Sequence, residues 1–138
     1  MQVKDIMTSN PQYLFANSTI EEAAKKMQDL DTGFLPIGDK DADKIVGTIT
    51  DRDIVISAIA QGKNLNSPIR DIMHKGVCYC YEDDDINDAC ELMQDQQIRR
   101  LIVLNKDKRL TGVISLGDIS LKCDEETSGE TLEAISKH

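Results

Sequence analysis

The sequence predicts a mixed α/β chain of the α+β type: two tandem β-α-β-β-α repeats with pseudo-two-fold symmetry, their sheets packed together. Three observations predict it. Val3-Lys4-Asp5-Ile6-Met7 returns as Ile69-Arg70-Asp71-Ile72-Met73, and the same offset pairs Tyr13 with Tyr79, Ile20 with Ile86, Ala23 with Ala89, Met27 with Met93 and Leu35 with Leu101. Nearer the end of each copy the offset is one shorter: Gly47-Thr48-Ile49-Thr50 matches Gly112-Val113-Ile114-Ser115, and Asp53 matches Asp118. Within each copy, strand-length apolar runs and a helical apolar stripe follow one another in the same order. The identities fall mainly at apolar and turn positions, as two copies of one fold require. The extra residue of the first copy belongs to the turn at 38–44.

Each element follows from local chemistry. Tyr13-Leu14-Phe15 is a short opening strand. Ser18 with Glu21 has the spacing of a capping box at a helix start. Ile20, Ala23, Ala24, Met27 and Leu30 then form one apolar stripe, and Gly33 ends the helix. Phe34-Leu35-Pro36-Ile37 has strand length, and the Asp-rich turn leads to a second strand, Ile45-Val46-Gly47-Thr48-Ile49. Asp51 opens another helix, with Ile54, Val55, Ala58 and Ile59 as its buried face. The second copy repeats this with a strand at 78–81, a helix at 86–96, strands at 101–104 and 110–114, and a helix from Leu116. The repeats are expected at 3–62 and 69–123, joined through the polar segment 61–68 and followed by an acidic tail, 124–138. One copy alone is near the marginal size for independent stability, so two copies packed together would bury both apolar faces.

At 138 residues the chain has room for one compact domain or two half-domains sharing a core. Its hydrophobic content, 40%, is that of a globular protein. Sixteen Lys and Arg against 25 Asp and Glu leave a net charge of -9, which argues against nucleic-acid binding and against docking on an anionic membrane. With no Trp and only two Phe and three Tyr there is no platform for stacking bases. The longest apolar stretch, 54–60, is too short to span a bilayer, and the first residues show no signal peptide, so a cytoplasmic location is expected. Cys78, Cys80, Cys90 and Cys123 are expected as reduced thiols, because nothing indicates secretion. Cys78 and Cys80 share one face of a strand, with His74 near in sequence and Cys90 on a helix. That set reads as buried core thiols, with a metal site or redox pair as the alternative. His74 and His138 are the only histidines, so no nucleophilic triad can be assembled, and no Gly-rich phosphate loop with a Lys is present. No enzyme activity is expected.

Two copies of strand–helix–strand–strand–helix, each opened by Asp-Ile-Met and each closing on Gly-h-h-[Ser/Thr]-x-x-Asp, resemble a pair of CBS domains, or Bateman module. The resemblance runs from about Val3 to Cys123. Gly47-Thr48-Ile49-Thr50-Asp51-Arg52-Asp53-Ile54 resembles the small stand-alone bacterial two-repeat proteins, the hypoxic response protein group among them. No attached enzyme, channel or transporter segment is visible in the sequence. The resemblance implies a regulatory module that needs no cofactor and takes AMP, ADP, ATP or a related adenosyl ligand in clefts between the repeats. It also implies a homodimer formed through the helices and an effector protein that the sequence does not name.

The residues add their own chemistry. Thr50 followed by Asp53, and Ser115 followed by Asp118, place a hydroxyl at a strand end and a carboxylate in the first turn of a helix. The hydroxyl and open helix amides can donate to a phosphate, and a carboxylate can accept from both hydroxyls of a ribose. The same spacing is also a capping box that needs no ligand. The resemblance implies the same roles: hydroxyl to phosphate, Asp to ribose. Arg99-Arg100 stands where relatives carry basic residues toward a phosphate, and an Arg fork suits that group. The bland alternative is a solubilising pair near Asp95. The first copy has Gly33-Phe34 there, so the two pockets should differ in affinity. In the family the segments at 8–13 and 74–79 line the base pocket, which would make Tyr13, Val77 and Tyr79 its walls, unless they are core. An alternative to nucleotide sensing is a ligand-free dimeric scaffold, responsive to redox or metal through its cysteines.

Overall fold

The computed structural model describes residues 1–39 and 44–122. Most of the turn at 38–44, together with Cys123, the tail at 124–138 and His138, lies outside the described residues. In chain order the elements are β1 (Thr8–Ser9), β2 (Leu14–Phe15), α1 (Ile20–Leu30), β3 (Phe34–Gly38), β4 (Ile45–Thr50), α2 (Asp51–Asp53), β5 (His74–Lys75), β6 (Tyr79–Tyr81), α3 (Ile86–Gln96), β7 (Arg100–Leu104), β8 (Leu110–Ser115) and α4 (Leu116–Lys122). The architecture is mixed α+β with two four-stranded sheets, the class the repeat pattern predicts.

The compact units are cut differently from the sequence repeats. One unit is Gln12–Val77; the other joins Met1–Pro11 to the chain from Cys78 onward. Each Asp-Ile-Met segment therefore packs with the other copy's strands. In the Gln12–Val77 unit the sheet order is β2-β3-β4-β5. Its β2 runs parallel to β3 (Leu14 opposite Ile37), whereas β3–β4 and β4–β5 are antiparallel, with Phe34 opposite Thr50 and Thr48 opposite His74. Ile20, Leu35, Ile37, Ile49, Ile69 and Ile72 are among its core residues. In the other unit the order is β1-β8-β7-β6, with Thr8 opposite Val113, Arg100 opposite Ser115, and Tyr79 opposite Ile102 in the parallel pair. Val3, Ile6, Met93, Leu101, Val103 and Ile114 build that core.

Two glycines admit the crossing strands. A Cβ on Gly47 would strike the backbone carbonyl of His74, and one on Gly112 would strike Met7 Sδ and lie 2.9 Å from the Thr8 carbonyl oxygen. The Gly in the repeated Gly-h-h-[Ser/Thr] pattern thus serves a close approach of β5 to β4 and of β1 to β8.

Several local expectations are corrected. The N-cap of α1 is Thr19, whose Oγ1 accepts from the Glu22 N–H at 3.1 Å, and not Ser18, whose Oγ instead accepts from the Phe15 N–H. The α1 amides of Ile20 and Glu21 donate to the Ser67 and Leu65 carbonyls, so the 61–68 segment completes the cap as well as linking the repeats. The helix ends in Asp31 at a positive φ of 52°, two residues before Gly33. Its buried residues are Ile20, Ala23 and Met27; Ala24 and Leu30 face outward. After α2 the chain widens into a π-helical stretch, Ile54–Ile59, in which the Ala60 N–H reaches back to the Val55 carbonyl. Ile54 and Ala58 turn to the core. Val55 and Ile59, the next pair at that spacing, turn outward and are 52% and 60% exposed, contrary to the expected buried face.

Candidate functional site

Both strand-to-helix turns close on themselves. The Thr50 N–H donates to Asp53 Oδ2 at 2.8 Å, and Thr50 Oγ1 accepts from the Asp53 N–H at 3.1 Å. Ser115 and Asp118 repeat the exchange at 2.9 and 3.0 Å. These are reciprocal capping boxes, and each hydroxyl still has its own hydrogen to donate outward.

Beyond that shared frame the turns differ. Open helix amides were expected at both. At the first turn Asp51 N–H donates to the Gly33 carbonyl at 2.9 Å, Arg52 N–H to Asp51 Oδ1 at 2.8 Å, and Asp53 N–H to Thr50, so all are engaged. At the second, Leu116 stands in place of Asp51. Leu116 N–H donates to the Arg99 carbonyl at 2.8 Å, and the Gly117 N–H has no acceptor among the described residues. A Cβ at Gly33 would come within 2.6 Å of the Asp51 carboxylate, which explains glycine opposite Asp51 and tolerance of Arg99 opposite Leu116.

The carboxylates differ as well. Asp53 is buried, at 8% exposure, and its Oδ1 meets His74 Nε2 at 2.9 Å. Both of its oxygens therefore have partners. Asp118 is half-buried, and its Oδ1 has no partner among the described residues. Arg99 and Arg100 are exposed, and strand register sets Arg100 beside Ser115, where the first turn has Phe34 beside Thr50. His74, expected from the sequence only as part of a pocket-lining segment or near a metal site, pairs instead with Asp53. The signal was present: the repeat offset sets His74 against Thr8, a long basic side chain against a short hydroxyl.

The proposed base-pocket residues lie farther out. Tyr13 leads into β2, with β3 between it and Thr50, and its ring packs edge-on against Phe15 at 5.7 Å. Tyr79 is on β6, with β7 between it and Ser115, and packs edge-on against Tyr81 at 5.6 Å. Val77 is half-buried just past β5. Within each unit the sheet order thus separates the two tyrosines from the hydroxyl–carboxylate turns.

Cys78, Cys80 and Cys90 are thiols packed in or against one core, none in a disulfide. Burial, then the Asp84 carboxylate and Cys78, push the Cys80 thiol up to about 12, and burial also raises Cys78. Among the described residues no three His, Cys, Asp or Glu side chains gather to hold a metal ion. We expect Cys78→Ala with Cys80→Ala to leave a folded protein, less stable by about 1–3 kcal/mol, in chemical denaturation. Zinc in the parent that disappears in the variant, by elemental analysis, would show a metal role instead. Because folding holds the Cys80 proton more tightly than the unfolded chain does, its contribution to stability is complete below the ordinary thiol value. That contribution is lost as pH rises toward about 12.

Two mixed sheets, each completed by the opening segment of the other copy and each ending in a capped hydroxyl–carboxylate turn, define a tandem two-repeat α+β fold. The family model for the CBS domain matches residues 3–58 and 69–124, and the chain belongs to that family. It is 38% identical to the uncharacterized protein YlbB of Bacillus subtilis over 99% of this chain and 92% of that one. Hypoxic response protein 1 of Mycobacterium tuberculosis is 30% identical over 96% of this chain and 92% of that protein. A crystal structure of Hypoxic Response Protein I with two coordinated zinc ions gives a TM-score of 0.80 at 30% identity over 90% of this chain and 100% of that one. A CBS domain protein of Pyrobaculum aerophilum complexed with AMP is 25% identical, with a TM-score of 0.82 over 96% of this chain and 99% of that one. The resemblance to stand-alone two-repeat proteins is thereby found. No described helix is long and apolar enough to cross a membrane.

Proposed function

We propose that this CBS domain pair is a non-catalytic regulatory module that binds an adenine nucleotide, AMP, ADP or ATP, or a related adenosyl ligand. The observation that carries the reading is the Ser115–Asp118 turn: a Ser115 hydroxyl that accepts from the Asp118 N–H and keeps its own hydrogen to donate, together with an amide at Gly117 and a carboxylate oxygen, Oδ1 of Asp118, that have no partner among the described residues, beside Arg99 and Arg100. Donors for a phosphate and an acceptor for a ribose diol stand within three residues. The AMP complex of the Pyrobaculum relative supports the same ligand class. Among the described cysteines, Cys80 and Cys90 are buried in a core and burial pushes the Cys80 thiol up, which does not favour a redox or metal reading at that pair. Calorimetry with AMP, ADP, ATP and S-adenosylmethionine tests the proposal. Saturable heat with at least one is expected, and no heat and no thermal shift with any at millimolar concentration would overturn it.

The module acts as a homodimer in this reading. Val55, Ile56 and Ile59 leave an apolar face on the π-helical stretch, each about half exposed or more, that no described residue of its own unit covers. Ile59→Glu is expected to convert a dimer to a monomer in light scattering at micromolar concentration. A wild-type monomer under the same conditions would sink the dimer.

A further inference from the structure

The two halves of the repeat carry the same hydroxyl–carboxylate frame, yet only one carboxylate is open. Asp53 Oδ2 accepts from Thr50 N–H, and Oδ1 is held by His74 Nε2 at 2.9 Å. Asp118 Oδ2 accepts from Ser115 N–H, and its Oδ1 has no hydrogen-bond or ion-pair partner among the described residues. The difference comes from one position of the crossing strand. β5 lays His74 opposite Thr48, and β1 lays the short, exposed Thr8 opposite Val113, at the equivalent point of the other sheet. The amides follow the same division. Asp51 takes the Arg52 N–H and brings a second negative charge to the first turn, whereas Leu116 leaves the Gly117 N–H without an acceptor among the described residues.

We propose that His74 is a specificity-determining latch: it occupies the ribose-binding carboxylate of the first turn, so that the chain takes one nucleotide, on Ser115 and Asp118, and the Thr50–Asp53 turn stays closed to a ribose. This rests on the nucleotide reading above. A diol entering the first turn must displace or share the imidazole on Asp53 Oδ1. Displacing an imidazole nitrogen seated 2.9 Å from that carboxylate oxygen is expected to lower affinity by about tenfold or more, the scale of a polar contact to a charged group. The Asp51 carboxylate adds repulsion toward a phosphate at that turn. The second turn has neither obstacle and has Arg100 beside it.

The variant His74→Thr copies the residue at position 8. His74 is exposed and on an edge strand, and Thr suits a strand, so the fold should persist; circular dichroism and a melting curve confirm it. Titration calorimetry with AMP then reads the number of sites. The wild type is expected to bind one AMP per chain, abolished or weakened at least tenfold by Asp118→Asn. His74→Thr is expected to gain a second site per chain, which Asp53→Asn in the same background removes. Two sites of equal affinity in the wild type, or a His74→Thr protein still limited to one, would overturn the latch while leaving the nucleotide reading intact. No heat from either protein with AMP would overturn the nucleotide reading and the latch together.

Discussion

Asp118→Ala is expected to weaken AMP binding at least tenfold. In the proposed pose this carboxylate accepts from the ribose hydroxyls, and hydrogen bonds to charged groups are worth about 1.5–3 kcal/mol each, against 1.4 kcal/mol per decade of affinity. The substitution also removes the acceptor of the Ser115 N–H, a capping bond at 2.9 Å, so it should lower stability by about 1 kcal/mol. Asp118→Asn separates the two effects. Its side-chain carbonyl can keep the cap, while the amide nitrogen it gains can donate but not accept. Calorimetry on both variants should therefore show similar losses of affinity, with the melting temperature falling mainly in the Ala variant. Equal AMP affinity in wild type and both variants would remove Asp118 from the site. Arg100→Ala should weaken ATP more than adenosine, and less so at high salt, because its contribution is to phosphate charge.

The repeat was legible because apolar and turn positions recur in register, and those positions are the ones burial selects. Ile20 and Ile86, Leu35 and Leu101, and Ile49 and Ile114 are matched in sequence and sit in the two cores. Exchange of the opening segments was not legible. Val3 and Ile69 are apolar in either arrangement, and only the β1–β8 and β4–β5 pairings show which sheet each joins. The outward turn of Val55 and Ile59 was hidden for a related reason: an apolar spacing of four is compatible with an α-helical or a π-helical turn, and the two place the stripe differently. At the site, the Thr50–Asp53 and Ser115–Asp118 pairs were legible as short-range spacings. The Asp53–His74 contact joins residues far apart in sequence through strand register, which local spacing does not encode. The choice between cap and ligand site, left open by the sequence, is not exclusive: the side chains cap their turns and Asp118 still keeps one oxygen without a partner among the described residues.

Gly47→Ala is expected to destabilise the fold by about 1–3 kcal/mol or more, the range for forcing atoms into a packed site. The added methyl would meet the His74 backbone carbonyl, with Met73 Sδ at 3.3 Å behind it, so relief requires β5 to move and not merely a side chain to swing. Moving β5 loosens Ile69 and Ile72, both buried in the Gln12–Val77 core. Gly112→Ala should behave similarly, because Met7 Sδ can swing aside but the Thr8 carbonyl oxygen, 2.9 Å from the added carbon, belongs to β1. Gly117→Ala is the control. Its nearest neighbour would be Ser115 Oγ at 3.5 Å, an ordinary contact, and Ala is a better helix former than Gly by about 1 kcal/mol. Urea denaturation of the three variants should place Gly47→Ala and Gly112→Ala below the wild type and Gly117→Ala at or above it. If Gly47→Ala and Gly117→Ala unfolded at the same midpoint, the close approach of β5 beside β4 would not be what requires glycine there. The repeated Gly-h-h-[Ser/Thr] pattern would then have to be explained by the turn that follows it, not by the edge strand paired beside it.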